Sequence, residues 1–402
     1  MARKMKDSGI EWIGEIPEGW EITKLKYLAT FPIEKNAHID SPYIGLENIE
    51  SWTGKYVSSD SQYDKSQALT FSRNNILFGK LRPYLAKVFF ASNDGCCSSE
   101  FCILNFSSSV NIRYFWNLLI SPTFIDHVTK STYGTKMPRA NTDFIKNICV
   151  PVPPHIEQDR IALYLDATSA KIDSLISKTR SSIEEYKKLK QAIITQAVTT
   201  LNCPNVKLKY LMDIIVDCPH ETPIYTFTGN YLVIRTSDQS LASLRCDEYM
   251  YRLDEAEYKK RTRRLTLDKD DIVYGREGSW GLACLVPQSN KYCLGQRVMQ
   301  FRCNTRLLYP KYAMYALNSE TVYMQGALDT IGSTAPHVNI STICNYLLPV
   351  PTLTEQKEIT NYLDAKCAEI DKLIAKKEQL VKELEGYKKS LIYEVVTGKR
   401  EV

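Results

Sequence analysis

The sequence predicts an α+β fold that occurs twice, with each α+β domain followed by one long helix. Three observations predict it. One segment of the chain recurs in the second half, the segments before it recur in the same order, and the recurring segment carries a helical spacing of apolar residues. The length of 402 residues also exceeds one ordinary hydrophobic core and indicates two or three domains.

The repeat is measured by sliding the sequence over itself. A shift of 198 positions places residues 151–199 on 349–397 without a gap, and 21 of these 49 positions are identical. The shared letters include "EQ" at 157–158 and 355–356, "YLD" at 164–166 and 362–364, and "ID" at 172–173 and 370–371. Chance would give only a few identities, so the chain contains an internal duplication.

Each copy of the repeat is predicted to be one long helix. The prolines of "PVPPHIEQ" and "PVPTLTEQ" fit before or in a first turn, but not inside a helix. Apolar residues then recur at steps of three and four, which is the seam of a coiled coil. About 42 residues make a rod of roughly 60 Å whose apolar stripe needs a partner, and its own duplicate is the obvious one. The coiled-coil and partner-binding candidates are Tyr164, Leu165, Ile172, Ile176 and Ile183, and then Tyr362, Leu363, Ile370, Ile374 and Val381.

The duplication extends into the globular halves. "KLKYL" occurs at 24–28 and 207–211, and "NNILFGK" at 74–80 corresponds to "DDIVYGR" at 270–276. Short β-branched and aromatic runs alternate with turn residues and a few helical stretches, which is typical of an α+β domain. The predicted organisation is a first domain at 1–154, a central helix at 155–200, a second domain at 201–352 and a distal helix at 353–402.

Motifs of catalysis are missing from the sequence. We find no phosphate-binding G-x-x-x-x-G-K-[ST], no G-x-G-x-x-G, no H-E-x-x-H and no Asn/Asp-Pro-Pro-aromatic motif of an adenine methyltransferase. The twelve cysteines are scattered, which predicts buried free thiols in a reducing cytoplasm. With no signal peptide and no membrane-spanning segment, we expect a cytoplasmic binding protein with no catalytic residue and no metal site.

Four loop segments are candidates for contact with nucleic acid. A net charge of +5 is mild, so such contact requires a shaped face and the help of a partner. Arginine binds guanine and phosphate, and polar or aromatic residues complete such contacts. The DNA-binding candidates are Lys80, Arg82 and Tyr84 in "FGKLRPYLAK", Lys136 and Arg139 in "GTKMPRAN", Lys260 and Arg263 in "EYKKRTRRL", and Arg276, Ser279 and Trp280 in "YGREGSWG". The alternative for each is a solvated charged surface.

The whole chain resembles the specificity (S) subunits of Type I restriction–modification systems. The resemblance rests on "IGEIPEGWEITKLKYLA", both "EQxxIxxYLD…IDxLI" helices and both G-x-x-x-P-x-x-N segments that lead into "PVP". It implies two target recognition domains, each reading one half of a bipartite, asymmetric site in double-stranded DNA. It also implies that the helices pair antiparallel as a spacer, give the chain an approximate two-fold axis and dock two methylation subunits.

The same resemblance places all cofactors on other chains. S-adenosylmethionine is expected on the methylation subunits, whereas ATP and Mg are expected on restriction subunits that attach through the methyltransferase core. One departure is that the second domain begins "CPNVKLKYL" and lacks the "IPxGW" of the first, so its N-terminal anchoring is expected to differ. Three alternatives stay open: a specificity subunit of a modification-only or fused restriction system, a self-sufficient modification enzyme, and a structural coiled-coil protein.

Overall fold

A computed structural model describes most of the chain as two compact units. The described residues are 3–35, 42–59, 67–134, 136–200, 202–245, 249–278, 280–328, 330 and 337–402. The first unit comprises Met1–Thr179 and Gln379–Val402, and the second comprises Arg180–Glu378. Each unit therefore contains one globular domain together with part of both long helices.

The first globular domain is α+β. Its strands are β1 Met5–Asp7, β2 Glu15–Pro17, β3 Glu21–Lys24, β4 Ala29–Thr30, β5 Tyr43–Ile44, β6 Leu69–Phe71, β7 Ile76–Gly79, β8 Val88–Phe90, β9 Gly95–Cys97, β10 Phe101–Phe106 and β11 Cys149–Val152. Its helices are α1 Leu25–Leu28, α2 Ile112–Leu119, α3 Pro122–Lys130 and α4 Thr142–Asn147. An antiparallel sheet has the order β4-β10-β7-β8, and a smaller sheet β5-β9-β6 contains a parallel β5–β9 pair.

The second globular domain repeats this topology after the helix α5, His155–Thr199. Its strands are β12 Asn205–Lys207, β13 Met212–Asp217, β14 Tyr231–Ile234, β15 Gln239–Ser240, β16 Ser243–Leu244, β17 Arg252–Leu253, β18 Ile272–Gly275, β19 Ala283–Leu285, β20 Tyr292–Leu294, β21 Val298–Cys303 and β22 Leu347–Pro349. Its helices are α6 Glu255–Arg261, α7 Pro310–Leu317, α8 Glu320–Ala327 and α9 Ile340–Cys344, before the final helix α10, Leu353–Val396. The sheet β13-β21-β18-β19 and the parallel β14–β20 pair match those of the first domain, so the predicted duplicated α+β fold is confirmed.

The long helices are antiparallel within each unit. In the first unit, Tyr114 contacts the end of α10 and the strand just before α5, because its hydroxyl donates to the carbonyls of Val396 and Pro151, each at 3.0 Å. In the second unit, Lys377 of α10 lies over the ring of Tyr186 of α5. Lys190, further along α5, bonds to Asp371, which is earlier in α10, so the two helices run in opposite directions. Among the described residues, none of the helices combines the length and apolarity that crossing a membrane requires.

One ion pair occurs twice between the helices, with the two copies exchanging roles. Asp173 of α5 accepts from Lys388 of α10 at 2.7 Å, and Asp371 of α10 accepts from Lys190 of α5 at 2.8 Å. The shift of 198 positions converts one pair into the other. Burial alone would raise the pKa of Asp173, but hydrogen bonds from Lys388 and Lys55 outweigh it and hold that pKa below its usual value.

A buried glutamine joins each long helix to its globular domain. The Gln158 side chain accepts from the backbone N–H of Asn111 at 2.8 Å and donates to the Pro153 carbonyl at 2.8 Å. In the second copy, Gln356 accepts from the backbone N–H of Tyr309 at 2.7 Å. Both glutamines are at most 2% exposed. The glutamine of "EQ" therefore fixes the helix start to the first turn of α2 or α7.

The neighbouring glutamate is used differently in the two copies. Glu157 accepts from the indole N–H of Trp20 at 2.9 Å and from Arg3 at 2.8 Å. Glu355 instead accepts from the backbone N–H and the hydroxyl of Thr352, at 2.8 and 2.7 Å. The tryptophan of "IPxGW" is therefore an anchor onto the first helix, and the second copy, which lacks it, caps its own helix.

The cysteines are dispersed thiols. Eleven of them lie in the described part of the chain, where none forms a disulfide and eight are buried. Burial raises the pKa of Cys102 and Cys293 to about 12. Within the same described residues, no three His, Cys, Asp or Glu side chains converge in the way a metal ion requires.

The reciprocal ion pair yields a pH-dependent prediction. Asp173→Asn should lower the free energy of unfolding at pH 7 by about 1–3 kcal/mol, between the values for exposed and buried pairs. The folded-state pKa of Asp173 lies below its unfolded value, so its contribution is full above about pH 4 and is lost as the pH falls through the folded pKa. Urea denaturation from pH 7 to pH 3 should therefore show the wild-type and variant curves converging. A gap that stays constant over this range would contradict the assignment.

Candidate nucleic-acid interface

Two loops of the first domain are joined along their backbones, and together they carry all five candidates of that domain. The carbonyl of Lys80 accepts from the Ala140 N–H at 2.9 Å, and the Arg82 N–H donates to the Pro138 carbonyl at 2.7 Å. Residues 80–84 and 136–139 therefore lie side by side on one surface. The structure thus brings together residues that are more than 50 positions apart in the sequence.

The side chains on this first-domain surface differ in their freedom. Arg82 and Lys136 are exposed, and Tyr84 is 45% exposed. Arg82 has a left-handed backbone with φ of 50°, and the 3-10 turn Pro83–Leu85 follows it directly. Arg139 forms an ion pair with Glu100, and Lys80 is half-buried. Arg82, Tyr84 and Lys136 are therefore the side chains most open to a DNA duplex.

The second domain places the same two loops together with different side chains. In the first domain, Leu81 and Arg139 form an isolated bridge between the loops, and in the second Glu277 and His337 form the matching bridge. Arg139 of the first domain is thus replaced by His337 in the second, and the apolar Leu81 is replaced by the acidic Glu277. Matching backbone bridges that carry unlike side chains suit the reading of two different sequences.

Arg276 lies inside the second domain. It is 7% exposed and pairs with Glu277 at 2.8 Å and with Asp217 at 3.3 Å. His220 approaches the same Asp217 carboxylate at 3.1 Å. Among the described residues, the Nε atom of Arg276 has no hydrogen-bond partner. Arg276 is therefore held by two carboxylates inside the domain, with little of its side chain presented to solvent.

The other second-domain candidates differ in exposure and in their partners. Lys260 is exposed and bonds to Glu221 at 2.9 Å, which raises its pKa, and Arg263 is exposed. Trp280 is half-buried and stacks on Tyr323 with ring centroids 4.3 Å apart. Ser279 lies outside the described residues. Lys260 and Arg263 are therefore open to solvent, whereas Trp280 is packed against a neighbouring ring.

An exposed aromatic cluster in the second domain was missed by the sequence analysis. Tyr225 packs edge-on against Tyr251 at 4.4 Å, and the Arg235 guanidinium lies 3.8 Å from the centre of the Tyr251 ring. Phe227 is fully exposed nearby in sequence, and Tyr249 is 68% exposed. Aromatic faces and arginine stack on bases or wedge between them. The alternation of rings in "IYTFTGNY" is the signal that could have indicated this surface.

The predicted helix seam is mostly buried. Leu165, Ile172, Ile176, Ile183, Leu363, Ile370 and Val381 are buried, Tyr164 and Ile374 are half-buried, and Tyr362 is 51% exposed. Other apolar side chains of the helices face solvent, namely Ile156, Leu163, Leu175, Leu189, Leu380 and Tyr387. A partner that docks on the helices would meet this exposed set.

Comparison with known proteins identifies the family. The family model described as Type I restriction modification DNA specificity domain matches twice, at residues 17–185 and 217–383. The specificity subunit of the Type I restriction enzyme EcoDI of Escherichia coli is 27% identical over 190 residues, which are 45% of this chain and 42% of that subunit. The MjaVIII specificity subunit of Methanocaldococcus jannaschii is 23% identical over 417 positions, covering 96% of this chain and 93% of the relative.

Solved structures share the fold. One, from work on the complex assembly and conformational transition of the type I R-M system, has a TM-score of 0.73 at 19% identity and covers 96% of this chain and 99% of its own. The HsdS subunit from Thermoanaerobacter tengcongensis has a TM-score of 0.50 at 19% identity, with coverages of 96% and 98%. The two matched domains together span well over half of the chain. The chain therefore belongs to the Type I restriction–modification DNA specificity family, with two copies of its domain, and DNA recognition is the role that this family membership gives it.

Proposed function

We propose that this chain is the DNA-reading and scaffold subunit of a Type I restriction–modification complex. Each globular domain, taken as residues 1–154 and 201–352, reads one half of a bipartite, asymmetric site in double-stranded DNA. The observation that carries the proposal is the pair of matching loop surfaces with unlike side chains, Leu81 and Arg139 in one domain and Glu277 and His337 in the other. Different bases require different side chains on equivalent backbones.

The long helices, residues 155–200 and 353–402, act in this proposal as spacer and docking site. Their buried seam and reciprocal ion pair hold the two copies together, and their exposed apolar side chains are available to partners. Two copies of one helix offer two equivalent surfaces, which suits two copies of a methylation subunit. Restriction subunits would join through that methyltransferase core, in the cytoplasm.

The chemistry belongs to the partners. S-adenosylmethionine would be bound by the methylation subunits, and ATP and Mg by the restriction subunits, while this chain supplies the DNA sequence preference. Two alternatives are a subunit of a modification-only or fused restriction system and a self-sufficient modification enzyme. Incubation of the purified chain with DNA and labelled S-adenosylmethionine tests the second of these. Label in DNA without a partner would support the self-sufficient enzyme, and label only after the methylation subunit is added supports a reading subunit.

Arg82 gives a direct test of the first-domain surface. Arg82→Ala should weaken binding of the complex to its specific DNA by about 1–3 kcal/mol if the guanidinium reads a base. A phosphate contact would instead lower affinity for all sequences alike and flatten the salt dependence. Fluorescence anisotropy on specific and scrambled duplexes at several salt concentrations measures both effects. The control is Arg73→Ala, which removes another exposed arginine of the same domain.

Arg276 provides the contrast in the second domain. Because Arg276 is buried between Asp217 and Glu277, its replacement by alanine should lower the free energy of unfolding by about 3–5 kcal/mol, since two carboxylates lose their partner. Urea denaturation measures this loss. An unchanged free energy of unfolding in Arg276→Ala would contradict its buried ion pairs, and unchanged DNA binding in Arg82→Ala would mean that the proposed first-domain interface is wrong.

The spacer is tested by lengthening the helices. Four residues inserted after Arg180 add about 6 Å and rotate the remainder of the helix by roughly 40°. A base pair advances about 3.4 Å, so the gap between the half-sites should change by nearly two base pairs while the half-sites stay the same. A second variant carries a matching insertion after Glu378, so that both helices lengthen together. Co-expression with the methylation subunit, followed by sequencing of the methylated sites, measures the gap.

The control for this insertion changes the same helix without lengthening it. Alanine replaces the exposed Ser181, Glu184 and Glu185, and this variant should keep the original gap. New half-site bases with an unchanged gap in the insertion variants would mean that the helices do not set the spacing.

A further inference from the structure

A cavity lies in the second unit between its globular domain and the C-terminal part of α5. Its volume is about 420 Å³, within the roughly 300–1,000 Å³ of small-molecule sites. The rings of Trp280 and Tyr323 stack nearly parallel, with an angle of 3° between them, and line it together. We call it the Trp280 pocket; Lys188, Gln191, Ala192 and Gly281 also line it.

The first unit carries a tryptophan at the position where this part of the second unit carries an alanine. Asn48 and Asp238 each end a short 3-10 turn, and each side chain accepts from the backbone N–H three residues earlier, at 2.8 and 3.0 Å. Four residues further on stand Trp52 and Ala242. Both have a left-handed backbone, with φ of 66° and 56°. Trp52 and Ala242 are therefore counterparts.

The surroundings of Trp52 correspond to the walls of the Trp280 pocket. The Trp52 ring lies 3.9 Å from the ammonium of Lys389, and the Trp52 backbone N–H donates to the Ala86 carbonyl at 3.3 Å. The shift of 198 positions converts Lys389 into Gln191. Ala86 corresponds to Gly281, because both have positive φ. Each also directly precedes a residue whose carbonyl accepts from the backbone N–H of a glycine, which is Gly79 at the end of β7 or Gly275 at the end of β18. The pocket is therefore the place that an indole occupies in the first unit.

The lining of the pocket suits a planar aromatic ring. The stacked Trp280 and Tyr323 offer a flat aromatic wall, and rings pack favourably on such walls. Lys188 stands one helical turn before Gln191 and supplies an ammonium, as Lys389 does for Trp52. The second unit thus places an ammonium and two aromatic rings around the position of the indole, while Ala242 itself supplies no ring.

The mouth of the pocket favours a ring carried by a polypeptide. Lys188 is exposed and Tyr323 is 40% exposed, so the pocket opens to solvent. Next to these residues in sequence, Leu189 is 47% and Met324 is 50% exposed, so both helices that line the pocket carry further exposed apolar side chains. A free small molecule would leave these side chains in water, whereas a docked chain would cover them.

We infer that the Trp280 pocket receives an aromatic side chain of a methylation subunit docked on the second unit. This inference rests on the proposed function. The ring of the partner would occupy in the second unit the position that the Trp52 ring occupies in the first unit. The two methylation subunits would then dock differently, since only the one on the second unit inserts a ring.

The test uses reciprocal variants. Ala242→Trp should fill the pocket, and Trp52→Ala should open a matching one in the first unit. The probe is 5-fluoroindole, followed by fluorine NMR. We expect one binding site in the wild-type chain, none in Ala242→Trp and two in Trp52→Ala. A second filling variant, Ala192→Trp, places the ring on the exposed helix side of the pocket and needs no left-handed backbone.

Docking is then measured by titrating the methylation subunit into each variant. Both filling variants should weaken one of the two docking events at least tenfold. Ala256→Trp, which adds a ring at an exposed position of α6 outside the pocket, should leave both unchanged. Unchanged docking on the filled variants would overturn the inference, whether or not fluoroindole binds. Failure of the wild-type chain to bind the methylation subunit at all would instead refute the proposed function.

Discussion

Each copy of the long helix carries an aspartate and a lysine at the same two positions, and the antiparallel arrangement lets each aspartate meet the lysine of the other copy. Asp173 pairs with Lys388, and Asp371 pairs with Lys190. A parallel arrangement in register would instead place aspartate beside aspartate and lysine beside lysine, which is unfavourable. Lys190 is 7% exposed, so leaving it without its partner would be costly. The duplicated sequence thus selects antiparallel pairing by its own charges.

The organisation of each unit depends on this pairing. The start of one helix and the end of the other come together, and the globular domain packs on both. In the first unit Tyr114 bonds to backbone carbonyls beside α5 and in α10, and in the second Tyr312 bonds to the Pro349 carbonyl at 2.9 Å. These contacts recur because both copies of the repeat join the globular domain to the segment before the helix in the same way. The loops at Arg139 and His337 instead differ in the side chains that they carry.

The sequence analysis predicted the repeated framework better than the loops. Periodicity and proline placement are local signals, and they indicated both helices and the duplicated α+β topology. The role of Gln158 was not predictable, because its hydrogen-bond partner Asn111 lies 47 residues earlier. Arg276 stood out as a cation in a loop, yet its burial depends on Asp217, which is distant in sequence. The exposure of Phe227 likewise depends on tertiary packing.

We propose that two unlike readers are held at a fixed separation by one duplicated framework. Methylome sequencing tests it most directly, in a host without other modification systems that expresses this chain together with its methylation subunit. We expect one methylated motif made of two different half-sites separated by a gap of constant length and arbitrary sequence. A single uninterrupted motif, or two half-sites methylated independently at variable distances, would contradict it.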